Sequence, residues 1–237
     1  MTIHRIPPQL LSDAGLVALI PVSTHAAGQT VEAWVQNSKF SADWSVGLLN
    51  RRFGNHQLTR SDLFQLGEEA RNGCARRSKI LLTATLIWGN SKIDGRGNSS
   101  RAIESSKNGN HIKTYASTNS LRSAYVEFSR GGNCKVDGYD VSFFTKYLYF
   151  LNSINREWVG PRPLIFDSQV SKTLFGKKTT YSGTWITSDN WEWIPQYKSG
   201  VGLYLEYCIS LDAWANQLSQ AGTLVSPDQI ERYLFGG

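Results

Sequence analysis

A chain of 237 residues with 41% hydrophobic side chains is long enough to bury one core or two closely packed lobes. Three widely spaced cysteines, Cys74, Cys134 and Cys208, and four scattered histidines exclude a zinc ribbon, an iron–sulfur cluster and a disulfide framework as working assumptions, and fit a reducing cytoplasm. The net charge of +6 leans towards polyanionic partners.

The first apolar run, Leu10 to Val22, is interrupted by Ser12 and Asp13 and is too short to span a bilayer, and no signal peptide is visible. Short helices are predicted over Thr30–Gln36 and Ser41–Asn50. Thr59-Arg60-Ser61-Asp62 opens a longer one, with Leu63, Leu66 and Ala70 on one face and a stop near Gly73. Ser78 to Trp88 is apolar nearly all round and predicts a central buried helix. Gly89 to Lys113 is rich in Gly, Asn and Ser and carries Lys92, Arg96, Arg101, Lys107 and Lys113. It reads as a basic surface loop with a short helix near Ser100–Ser106.

Helical spacing returns over Thr118–Arg130, through Leu121, Tyr125 and Phe128, and stops at Gly131-Gly132. Val136-Asp137-Gly138-Tyr139-Asp140 is a tight-turn candidate, followed by a helix over Val141–Ile154. Further helices are predicted over Ser168–Phe175, over Leu203–Leu218, and after Ser226-Pro227, with serine at the N-cap and proline at the first position. Trp185 to Ile194 fits strand or loop. The fold class is therefore all-α, as one domain over residues 1–237 or two packed helical lobes with a cleft between them.

The chemistry concentrates in two places. In Val141–Ile154, Phe143, Tyr147, Phe150, Leu151 and Ile154 form the apolar stripe, and Lys146 falls on its boundary. Partial desolvation there would lower its pKa and free a nucleophilic amine. The blander reading is a lysine snorkelling out of a core helix. Asp167 follows 21 positions later, after Leu164-Ile165-Phe166 and at the start of the next helix. An N-cap there contributes roughly 1 kcal/mol, and a capping carboxylate held rigidly can also face a cleft.

A turn, a lysine on the next helix and an aspartate about twenty residues later resemble the helix-hairpin-helix DNA glycosylase superfamily, in particular its bacterial 8-oxoguanine-glycosylase-like branch. The resemblance spans roughly residues 120–175, and residues 204–235 look like that branch's tail. It implies that 136–140 is the hairpin, with Gly138 against DNA phosphate, that Lys146 is the Schiff-base nucleophile and that Asp167 is its carboxylate partner. Two departures stand out: Asp140 replaces the hairpin's second glycine, and Lys146 lies eight residues beyond Gly138.

The resemblance further implies a base flipped from double-stranded DNA and excised, with strand nicking by β-elimination and without a metal or cofactor. Candidate stacking residues are Phe144, Trp88, Trp185, Trp191 and Trp193. Candidate DNA contacts are Lys92, Arg96 and Arg101, together with Arg51-Arg52 and Arg76-Arg77-Lys79, and Asn90 is a candidate for the space the base leaves. The expected state is a cytoplasmic monomer acting on 8-oxoguanine-like bases. Alternatives are a hypermodified base in phage DNA, a catalytically inactive DNA-binding module, and an unrelated helical protein.

Overall fold

The computed structural model describes residues 5–107, 112, 120–152, 158, 160–175 and 200–236. It is mainly helical. In chain order the helices are α1 (Pro8–Ser12), α2 (Ala14–Ala18), α3 (Val31–Gln36), α4 (Trp44–Phe53), α5 (Arg60–Arg71), α6 (Ala75–Gly89), α7 (Asn98–Ser105), α8 (Leu121–Phe128), α9 (Val141–Asn152), α10 (Ser168–Phe175), α11 (Val201–Gln220) and α12 (Pro227–Gly236). Trp185–Ile194, Lys113 and the last two positions of the helix predicted over Val141–Ile154 lie outside the described residues. No helix among the described residues is long and apolar enough to cross a membrane.

The boundaries follow capping chemistry. Thr59 and Asp62 form a reciprocal capping box at the start of α5, the Asp62 carboxylate accepting from the Thr59 amide at 2.8 Å. Helix α4 begins later than the sequence suggested because Asp43, not Ser41, supplies the cap to the amides of Ser45 and Val46. Two short strands were not anticipated. β1 (Ala26–Thr30) pairs antiparallel with β2 (Gln57–Thr59), in a register of Ala26 with Thr59 and Thr30 with Gln57.

Helices α5, α6 and α9 pack together at the centre, with α6 buried on nearly every side as its all-round apolar sequence requires. The α5–α9 crossing is close: a Cβ at Gly67 would lie 2.7 Å from the Phe150 carbonyl carbon. This backbone-to-backbone contact fixes the helix that carries Lys146. Beyond α9, α11 and α12 pack on one another, and α12 also packs on α10.

Candidate active site

Every described side chain of α9 is buried except Ser142, and Lys146 is buried with its apolar neighbours. The stem of Lys146 runs beside the end of α6. A Cβ at Gly89 would stand 2.9 Å from Phe143 Cε1 and 3.1 Å from Lys146 Cδ, so glycine is what lets that helix end close over the lysine. Helical side chains lean towards the N-terminus. Accordingly Nζ reaches back one turn and donates to Ser142 O at 3.1 Å and Ser142 Oγ at 3.3 Å. Its third partner is Asp167 Oδ2 at 3.2 Å.

Asp167 reaches that position because the irregular strip before it is anchored from two sides. Tyr204 and Tyr207 of α11 donate their hydroxyls to the carbonyls of Leu164 and Ile165, at 2.7 and 2.8 Å. The Phe166 amide donates to Thr145 Oγ1 of α9 at 3.2 Å. Buried backbone polar groups need such partners, and here side chains supply what a sheet would otherwise supply. Asp167 then divides its two oxygens. Oδ1 caps α10 by accepting from the amides of Gln169 (3.0 Å) and Val170 (3.1 Å), and Oδ2 takes Lys146.

The pair is nearly closed off from solvent, with side-chain exposures of 4% for Lys146 and 10% for Asp167. Burial alone would raise the Asp167 pKa. The Lys146 ammonium and the two capping amides outweigh it and hold the carboxyl below its usual range. Lys146 thus has three acceptors, one of them a carboxylate fixed by its capping role.

Sequence reading missed a second buried polar group beside this pair. Arg60 of α5 and Glu231 of α12 form an ion pair at 2.7 Å with almost no exposure. Arg60 also donates to the Tyr149 hydroxyl at 3.2 Å, and Tyr149 donates to Asp228 at 3.0 Å. Glu231 feels the charges of both Asp167 and Lys146; burial raises its pKa and Arg60 opposes the rise. Around it, His25 Nδ1, Trp88 Nε1, Arg60 Nε, Glu231 Oε1 and Arg232 Nη1 are buried without a hydrogen-bond partner among the described residues. His25 meets Trp88 edge-on at 5.3 Å and Phe235 at 6.1 Å. Burial, reinforced by Arg232 and Arg60, lowers the His25 pKa to about 4, so the ring is neutral at pH 7. The readable signal was the pattern of α12, where Glu231 sits beside Ile230 and Leu234 on the buried face. Its long-range partner Arg60 was not readable.

The other sequence candidates fall as follows. Gly138 has φ +76°, and a Cβ there would stand 2.2 Å from the Asn98 carbonyl oxygen of α7, so a side chain is excluded. The turn it occupies borders a cavity of about 340 Å³ lined by Arg101, Arg130, Lys135, Asp140 and Phe144. Phe144 is buried and packs on Tyr125 and Phe128. Trp88 is buried, stacked edge-on against Phe150 at 5.5 Å with Arg60 over its face. Asn90 is buried and its amide donates to Leu86 O and Ser99 Oγ at 3.0 and 2.9 Å. Lys92, Arg96 and Arg101 are exposed; Arg96 has φ +63°. Lys79, expected at the surface, is fully buried against Asp43 at 3.0 Å. Trp185, Trp191 and Trp193 lie outside the described residues. Among the described residues, no group of three or more His, Cys, Asp or Glu could hold a metal ion.

The family model described as "Putative 8-oxoguanine DNA glycosylase OGG-like protein" matches residues 22–235. The chain belongs to this family of DNA glycosylases. No curated protein and no solved structure matches it.

Proposed function

We propose that this glycosylase uses Lys146 as a nucleophile on the sugar C1′ of an extruded nucleotide. The observation that carries the reading is the Lys146–Asp167 contact at 3.2 Å between two buried groups, one of which also caps a helix. Neutral Lys146 Nζ forms the bond to C1′ while the N-glycosidic bond breaks and its electron pair leaves with the base. Asp167, ionised throughout the neutral range, stabilises the positive charge that builds on the sugar. Ring opening gives a Schiff base, from which β-elimination nicks the strand.

The base is received by the neighbouring buried group. Unpartnered buried polar atoms are costly unless something completes them. His25, Trp88, Arg60, Glu231 and Arg232 offer donors and acceptors in one place, with the Phe235 ring beside them. A purine bearing amide-type N–H and C=O groups, such as 8-oxoguanine, matches that mixture and agrees with the family description. Extrusion costs a few kcal/mol of unstacking, which these contacts offset. The turn at 136–140 serves as the superfamily's hairpin, bringing DNA phosphate to Gly138 and to the cations of the adjoining cavity. The whole chain acts as one glycosylase domain on double-stranded DNA, as a monomer.

A screen of duplexes carrying single altered bases, read by base release and by borohydride trapping, tests this. The expected result is release of an oxidised purine together with a covalent protein–DNA adduct. Base release without any adduct would assign the chemistry to activated water instead of Lys146.

A further inference from the structure

We propose that Arg96 enters the duplex when a nucleotide is extruded and occupies the space between the flanking bases, held out for that role by a left-handed turn beyond the end of α6. The inference rests on the reading of this protein as a glycosylase that extrudes its target nucleotide, and not on the chemistry of Lys146.

The turn is strained. Asp94, Gly95, Arg96 and Gly97 have φ of +69°, +43°, +63° and +84° in succession. Asp94 and Arg96 are the two non-glycine residues with positive φ among the described residues. Residues with a Cβ avoid this region, and runs of successive residues in it are rarer still. Such strain persists only where the surroundings impose it, and it concentrates at ligand-contacting elements.

Here the surroundings impose it from both sides. Ile93 packs on the core just before the turn. The buried Asp94 carboxylate accepts from Lys39 Nζ at 2.6 Å and from the Ser100 amide of α7 at 2.8 Å, and the Asp94 carbonyl accepts from the Gly97 amide at 2.8 Å. Gly95 closes on Asn90, where a Cβ would stand 2.6 Å from Oδ1. Asn90 in turn follows Gly89, the residue that lies against the Lys146 stem. The turn therefore rests on the neighbour of the residue that covers the lysine.

Arg96 is the side chain there that can reach into DNA. It is exposed and forms no hydrogen bond or ion pair among the described residues. Asn90, expected from the sequence to fill the space a base leaves, is buried and donates its amide hydrogens to Leu86 O and Ser99 Oγ. Arg101 donates to the Gly97 carbonyl at 3.2 Å and to Asn98 Oδ1, which folds it back on the turn. Lys92 is exposed as well, but its ammonium has no flat face. A guanidinium has one: it stacks between bases and presents five donors to the base left without a partner. Extrusion breaks the stack on both sides of the gap, and the arginine restores part of it. Because the turn is already fixed, little backbone has to be ordered on binding.

The test measures Kd at one fixed salt concentration for two duplexes of the same sequence, one undamaged and one with a single tetrahydrofuran abasic analogue. The analogue has no C1′ oxygen, so Lys146 cannot react with it and binding alone is read. The proteins are wild type, Arg96→Gly, Arg96→Lys and Lys92→Ala. Glycine suits φ +63°, so Arg96→Gly is expected to keep the fold. It is expected to bind the abasic duplex about 10- to 100-fold more weakly, as loss of a central arginine contact does, while its Kd for the undamaged duplex changes by less than about 3-fold. Arg96→Lys keeps the charge and is expected to recover only a small part of the lost affinity. Lys92→Ala is expected to weaken both duplexes alike, as a backbone contact does. If Arg96→Gly fails to fold, Arg96→Asn, which tolerates this backbone region, replaces it. Equal loss on both duplexes, or no loss on either, overturns the proposal, and so does an Arg96→Lys protein that matches wild type on both. Equal Kd of wild type for the two duplexes removes the extrusion reading itself and this inference with it.

Discussion

Two lysine–aspartate pairs in this protein share one construction. Asp43 caps α4 and holds Lys79 of α6 at 3.0 Å; Asp167 caps α10 and holds Lys146 of α9 at 3.2 Å. In both, an N-cap carboxylate divides its oxygens between helix amides and a lysine from another helix. Their surroundings differ. Lys79 is completed by the Ile103 carbonyl at 3.3 Å and covered by the Trp44 ring, on which Arg76 also rests. Lys146 instead lies in the field of two more acids, Asp140 and Glu231, beside buried polar atoms that lack partners. The lysine–cap motif is a way of fixing a charge in a core. Under the proposed function, it becomes a site where the neighbouring polar groups are left incomplete.

The sharpest way to break this comparison is to remove each lysine in turn. Lys146→Gln is expected to reduce reductive trapping to background while DNA binding in gel-shift assays persists. Lys79→Gln is expected to leave trapping per folded molecule unchanged and to cost on the order of 3 kcal/mol in urea unfolding, because it strands a carboxylate in a mostly buried pair. If both variants lose trapping equally while folded, the distinction between the pairs fails.

The aspartates come next. Asp167→Asn keeps a capping side chain but loses the counter-charge, so single-turnover base release should slow by about 10²-fold or more. Asp43→Asn should lower stability to a similar degree, because each change strands a buried lysine, but should leave turnover near normal. The smallest expected effect concerns His25, whose pKa is depressed in the folded state to about 4. The unfolded chain takes up a proton near pH 6.5 and the folded chain does not. Stability is therefore full above pH 6.5 and falls as the pH drops towards 4. His25→Gln should lessen the fall in melting temperature between pH 7 and pH 5 by a few degrees. An unchanged slope would mean that the ring is not buried in neutral form.

Local chemistry made much of this molecule readable from its sequence. Thr59 with Asp62, the helix following 136–140, and the glycine-rich turn each carry their signal within a few residues. Lys146 and Asp167 could be paired because their spacing of 21 positions, with an apolar strip before the aspartate, resembles the glycosylase superfamily's pattern. Lys79 misled because a lysine on an apolar helix reads as a surface charge until its partner, 36 residues earlier, is known. Strands β1 and β2 were missed because each is short and lacks alternation; they exist through pairing with one another. The Arg60–Glu231 group was unreadable for the same reason at a larger scale, since its two halves lie 171 residues apart.

The most direct measurement is to identify the trapped residue itself. Wild-type protein reduced with borohydride on a duplex containing an abasic site, then digested with protease and nuclease, should carry its nucleotide mass increment on Lys146. An increment on any other lysine or on the N-terminal amine, with Lys146 unmodified, would contradict the account.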